Sequence, residues 1–128
     1  MDDNAFGLHT IGQIAITVSD VERATAFYRD ILGMKFLYAY PGMAFFDCDG
    51  VRLYLVHPED DRFAGRAVLY FTVPSVPDAF EAMVARGAPA ESAPRIVHSA
   101  DTYDLWMAFV RDPDANQIGM MAEVPKPG

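Results

Sequence analysis

The sequence predicts an α+β fold in a single domain over residues 1–128, made of two copies of a βαβββ unit. Three observations carry that expectation. A strand, a capped amphipathic helix and three further strands occur in that order twice. Thr17-Val18 and Thr72-Val73 hold the same place in the two copies, 55 residues apart, and the turns at Asp49 and Asp114 stand 65 apart. The last hairpin, with its Asp112-Pro113-Asp114-Ala115-Asn116 turn, also has its counterpart in the first copy. Self-similarity at a near-constant offset marks a repeated supersecondary unit.

The first unit covers residues 11–57. From Gly12, GQIAITV alternates, with Ile14, Ile16 and Val18 on one face and Gln13, Ala15 and Thr17 on the other, as a strand requires. Ser19-Asp20-Val21-Glu22 then reads as an S-x-x-E capping box. Val21, Ala24, Phe27, Tyr28, Ile31 and Leu32 recur at helical spacing, and Gly33 is placed for a left-handed cap. Strand-like runs follow at 35–40, 43–47 and 51–57. Pro41-Gly42 and Asp49-Gly50 supply their turns. Residues 58–66, with the acidic run Glu59-Asp60-Asp61, have no apolar period and read as an exposed, solvated connection.

The second unit covers residues 67–123. Leu69, Phe71 and Val73 alternate with Val68, Tyr70 and Thr72, and Ser75 caps a helix whose Pro77 falls in the first turn. Val76, Phe80, Met83 and Val84 line that helix and Gly87 closes it. Strands follow at 90–98, 103–111 and 117–122. In the last turn, Pro113 fixes one φ while Asp and Asn bond back to their own backbone.

Composition limits the function classes. A chain of 128 residues buries roughly two thirds of its unfolded surface and needs no disulfide or structural metal to fold. Its net charge is −8 and its pI about 4.6, which argues against nucleic acid or an anionic membrane as partner. Cys48 is the only cysteine and reads as a small apolar strand residue, consistent with a reducing compartment. The start, MDDNAFGLHT, lacks a basic and then apolar leader, and no apolar run approaches the ~20 residues of a membrane span. The expectation is a soluble, cytoplasmic protein.

Residues 14–33, IAITVSDVERATAFYRDILG, and 109–116, FVRDPDAN, resemble signature segments of the vicinal-oxygen-chelate superfamily. That family contains glyoxalase I, bleomycin-resistance proteins and extradiol dioxygenases, and the resemblance extends over residues 11–123. It implies a curved mixed sheet with helices on the convex face and a cavity on the concave face. It also implies a metal centre built from one position on the first and last strand of each unit. Carried over by motif, those positions are Gln13, Tyr54, Val68 and Gly119, none of them His, Asp or Glu. A divalent ion needs such ligands converging on one point. The sequence is therefore similar to the metal-free, ligand-binding branch of the family, with no cofactor expected.

The implied ligand is an apolar or aromatic small molecule, sequestered or turned over without metal. Gln13, Thr17, Tyr54, Val68, Tyr70 and Gly119 should face its cavity, with Tyr38, Tyr40, Phe45 and Met121 as further lining. Trp106 joins that set on one parity and the core on the other; alternation does not decide which. The weak catalytic candidates are His98, Asp104 and Gln13; if the strand of His98 pairs with the next, Asp101, Tyr103 or Asp104 lies near enough to orient its ring. His9 lies in the N-terminal arm and His57 at a strand end. The alternative is a metal-dependent lyase, isomerase or dioxygenase of the glyoxalase type using displaced ligands such as His57 or His98. Family members with two units per chain commonly form dimers, so a homodimer is expected. In place of the family's usual glycine the last turn has Ala115, which either adopts positive φ or forces a rearrangement.

Overall fold

Each unit closes its own four-stranded sheet. A computed structural model describes Gly7, residues 11–58 and residues 68–127. His9 and the acidic run Glu59-Asp60-Asp61 lie outside the described residues. The first unit consists of β1 (Gln13–Thr17), α1 (Val21–Ala26), a π turn (Phe27–Ile31), β2 (Lys35–Tyr40), β3 (Met43–Cys48) and β4 (Val51–Val56). The second consists of β5 (Leu69–Thr72), α2 (Val76–Ala85), β6 (Ala90–Ser99), β7 (Tyr103–Arg111) and β8 (Gln117–Pro125). The strand orders are β1-β4-β3-β2 and β5-β8-β7-β6, the same topology twice. In each sheet the first and last strands run parallel, because the helix carries the chain back, and the other neighbours are antiparallel.

The turn chemistry behaves as its residues dictate. Gly42 has φ +80° after Pro41, and Asp49 (φ +52°) with Gly50 (φ +93°) makes the tight link between β3 and β4. Ser75 caps α2, its hydroxyl accepting from the Asp78 N–H at 3.3 Å. At α1 the cap moves by one residue from the expected Ser19. Asp20 accepts from the Arg23 N–H at 3.0 Å, while the Ser19 N–H donates to Asp114 Oδ1 at 3.0 Å. A carboxylate caps as well as a hydroxyl does, and Ser19 is thereby left to bind the other unit.

Helix α1 does not end as α-helix. Leu32 N–H donates to the Phe27 carbonyl, five residues back, at 3.0 Å, and Gly33 then closes the end at φ +71°. The first unit spends one residue more than the second between its first strand and the closing glycine (Thr17 to Gly33 against Thr72 to Gly87). A π turn holds one residue more than an α turn, so it absorbs the difference.

One core joins the units. Ile16, Phe46, Leu53 and Leu55 from the first sheet, Val110, Ile118 and Met120 from the second, and Phe27, Tyr28 and Val76 from the helical segments form a single buried cluster. Trp106 packs against this cluster with Ala108 and Val110, which settles its face: it belongs to the core and not to the cavity lining. Two further bonds cross between units. Arg86 Nη1 donates to the Ile31 carbonyl at 3.0 Å, and the Tyr28 hydroxyl to Asp112 Oδ2 at 2.8 Å. With the helix-side faces buried, the opposite face of each sheet is left open.

Candidate functional site

On the open face of the first sheet, register places side chains in rows across β1, β4, β3 and β2. One row reads Ala15, Tyr54, Phe45, Tyr38. Beside it on one side runs Gln13, Arg52, Asp47, Lys35, and on the other Thr17, Val56, Met43, Tyr40. The aromatic row is stacked. Tyr38 and Phe45 lie 4.9 Å apart at 24°, and Phe45 and Tyr54 lie 5.1 Å apart at 17°. Those spacings match the ~4.8 Å between strands, so the rings stand upright, one per strand. Tyr40 meets Tyr38 edge-on at 5.6 Å. Phe45, in the middle, is 8% exposed, while Tyr38 and Tyr40 are 38% and 61% exposed.

The corresponding row on the second sheet reads Tyr70, Gly119, Phe109, Ser92. Large and small have changed places: the first unit has Ala on its first strand and Tyr on its last, the second has Tyr and then Gly. A Cβ on Gly119 would lie 2.9 Å from Tyr70 Cδ2 and 3.0 Å from Phe109 Cε2, so the two rings close over bare backbone. They meet edge to face at 5.6 Å and 80°. Met121 and Met107 follow in the next row, and Val68, just before β5, shares the parity of Tyr70.

Gln13, Thr17, Tyr38, Tyr40, Phe45 and Tyr54 thus share one open face, and Val68, Tyr70, Gly119 and Met121 share the other. Within a chain the two faces do not cover each other: Val68 is 44% and Tyr70 51% exposed. An apolar cleft of about 250 Å³, lined by Leu32, Met34, Phe71, Val73, Met83 and Met120 among others, lies on the helix side between the units, apart from both.

Of the partners the sequence offered His98, Asp104 does not reach it. His98 pairs with Leu105 across β6 and β7, whereas Asp104 pairs with Ser99, and adjacent strand residues point to opposite faces. The Asp104 carboxylate accepts from Ser99 Oγ at 2.6 Å and stands 3.7 Å from Lys126 Nζ. His57 and His98 are exposed and belong to different units. No group of three or more His, Cys, Asp or Glu side chains with metal-binding proximity occurs among the described residues. The donor set at the implied metal positions does not fit a divalent ion. Gln13 and Tyr54 are weak ligands, Val68 offers none, and the fourth position is closed by two rings.

Alternation had not singled out Arg52, which the structure adds to the first face. Its guanidinium carbon lies 6.0 Å from the Phe45 ring centroid. The signal was present in its parity with Tyr54.

The fold has close counterparts among solved structures. A lactoylglutathione lyase from Agrobacterium tumefaciens aligns with a TM-score of 0.73 at 22% identity, over 91% of this chain and 95% of its own. A glyoxalase/bleomycin resistance protein/dioxygenase from Nocardioides gives 0.73 at 23%, over 98% and 92%. A virulence protein from Salmonella typhimurium gives 0.73 at 20%, over 93% and 100%. At such identities these establish the fold alone. No curated protein matches the sequence. The sequence itself matches the family over residues 10–120, and with the twice-repeated βαβββ topology this makes the chain a member of the Glyoxalase/Bleomycin resistance protein/Dioxygenase superfamily.

Proposed function

We propose that the chain binds an apolar or aromatic small molecule on its open sheet faces, without the family's metal centre. It sequesters that ligand or assists its conversion by positioning and hydrogen bonding. The observation that carries this reading is the stacked row Tyr38, Phe45, Tyr54, whose last ring holds one of the four positions that the family resemblance implies for a metal centre. Stacked rings present flat apolar surface at little conformational cost, which suits a planar ligand. Residue types at the four metal positions support the metal-independent branch.

The open faces also support a homodimer in which each ligand site is bounded by both chains. Tyr40 on one face, and Val68 and Tyr70 on the other, are exposed apolar side chains that a second chain would cover. No helix among the described residues is long and apolar enough to cross a membrane. The acidic net charge supports neither nucleic acid nor an anionic surface as partner.

A thermal-shift screen tests the proposal, using aromatic compounds with and without divalent metals. Ligand at a hundredfold excess over its dissociation constant stabilises the folded state by about 2.7 kcal/mol. Stabilisation by aromatic compounds, unchanged by chelators, is the expected result. Stoichiometric Zn, Ni, Mn or Fe in freshly purified protein, lost together with an activity, would instead support a glyoxalase-type enzyme with displaced ligands.

A further inference from the structure

We propose that the stacked aromatic row has a vacant rung, over Ala15 and against the outer face of Tyr54, that takes the flat ring of an aryl oxyanion. This rests on the reading above and names the place and the ligand class within it. Rings occupy this row on three successive strands, β2, β3 and β4, at spacings of 4.9 and 5.1 Å. The fourth strand in the order is β1, at the sheet edge, and its residue in the same row is Ala15. Ala15 is exposed, and a methyl group does not reach the height of a ring. One face of Tyr54 therefore packs on Phe45, while the other looks over Ala15 at an unfilled position.

The second unit shows what fills this position when the chain itself supplies the ring. Tyr70 stands where Ala15 stands in the first unit, and it lies on its neighbour Gly119. The first unit keeps the stacking surface but omits that last ring. A ligand ring of benzene or naphthalene width, placed one strand spacing beyond Tyr54, continues the stack.

The chemistry beside the slot selects charge. Gln13 and Arg52 are register partners and border the slot on the same side. Among the described residues the Arg52 side chain makes no hydrogen bond or ion pair; its guanidinium carbon stands 6.0 Å from the Phe45 centroid, on the β3 side of Tyr54, and a change of rotamer toward β1 carries it to the slot. Asp47, next in the row, is held by its own turn, with Oδ1 accepting from the Gly50 N–H at 3.2 Å. A planar guanidinium beside an amide matches a carboxylate or similar oxyanion in the plane of the bound ring.

The test titrates the full-length protein with 2-naphthoate, 2-naphthylmethanol and cyclohexanecarboxylate by calorimetry. The parent should bind 2-naphthoate at least ~10-fold more tightly than either other probe, since one lacks the charge and the other the flat ring. Ala15→Phe should abolish naphthoate binding with the melting temperature retained. Arg52→Gln should remove the preference for naphthoate over naphthylmethanol. If Ala15→Phe does not fold, Tyr54→Leu replaces it, with the same loss expected. Naphthoate binding that survives Ala15→Phe but is lost in Tyr70→Ala or Tyr38→Ala overturns the vacant rung while leaving the open faces as binding surfaces. Failure of the parent to bind either naphthyl probe overturns the vacant rung, and the wider reading falls with it only where the thermal-shift screen of aromatic compounds is negative as well. A parent that binds none, with an Ala15→Phe variant that loses self-association, identifies the slot as a socket for a second chain and overturns the proposal as well.

Discussion

The Asp112 carboxylate, 2% exposed, accepts four hydrogen bonds, from Asp114 N–H, Asn116 N–H, Asn116 Nδ2 and the Tyr28 hydroxyl, all at 2.8–2.9 Å. One residue thereby shapes the β7–β8 turn and ties it to the helix of the other unit. Tyr28→Phe keeps the ring packing and removes one donor to a buried charge, so it should cost about 1.5–3 kcal/mol in urea unfolding. Tyr28 also links stability to alkaline pH. Burial first, and then the Asp112 charge, raises its phenol well above the ordinary 10.0. Above about pH 10 the unfolded chain releases a proton that the folded chain keeps, so this part of the stability is full below pH 10 and falls as pH rises. The fall is about 1.4 kcal/mol per pH unit, and it should be missing in Tyr28→Phe. Ala115 resolves the alternative left open by the sequence: it keeps the turn and adopts φ +65°. Ala115→Gly should then stabilise by about 1 kcal/mol, read as a shift in urea midpoint at constant slope.

Strands and helices were legible because each depends on local pattern. Ile14 and Ile16 against Gln13 and Ala15 fixed the register of β1, and β7 spans the residues expected of it. What the pattern could not give depends on contacts between elements. Trp106 alternates within a strand buried on one side and half-buried on the other, so only the core packed against β7 decides its face. Ser19 and Asp20 are both good caps, and the choice follows from Asp114, distant in sequence, taking the Ser19 N–H. Gly119 read as an empty metal position. Its role, letting Tyr70 and Phe109 close over the strand, appears only when β5, β8 and β7 are side by side. Gly119→Ala should therefore cost on the order of 1 kcal/mol by pushing those rings outward. In a Tyr70→Ala background the same change should cost less, and the difference in a double-mutant cycle measures the contact. The strand parity that puts Gln13, Thr17 and Tyr54 on one face could be read from alternation; the stacking of three rings into one row could not, because it needs the register of β2, β3 and β4 together.

At the scale of the whole molecule, one core between two sheets leaves two apolar faces turned outward. The chain should be a homodimer at micromolar concentration by light scattering, and a monomer there would count against shared sites. Each chain carries a net charge of −8, so the dimer should tighten as salt rises and the mutual repulsion is screened. The reciprocal placement of Ala15 with Tyr54 and Tyr70 with Gly119 has a consequence for counting. Had the two units kept the same residue at each matched position, a chain would hold either two open slots or none. With large and small exchanged between them, it holds one. A titration should therefore saturate at one ligand per chain, and an assembly of these chains should carry as many sites as it has subunits, despite having twice that number of units.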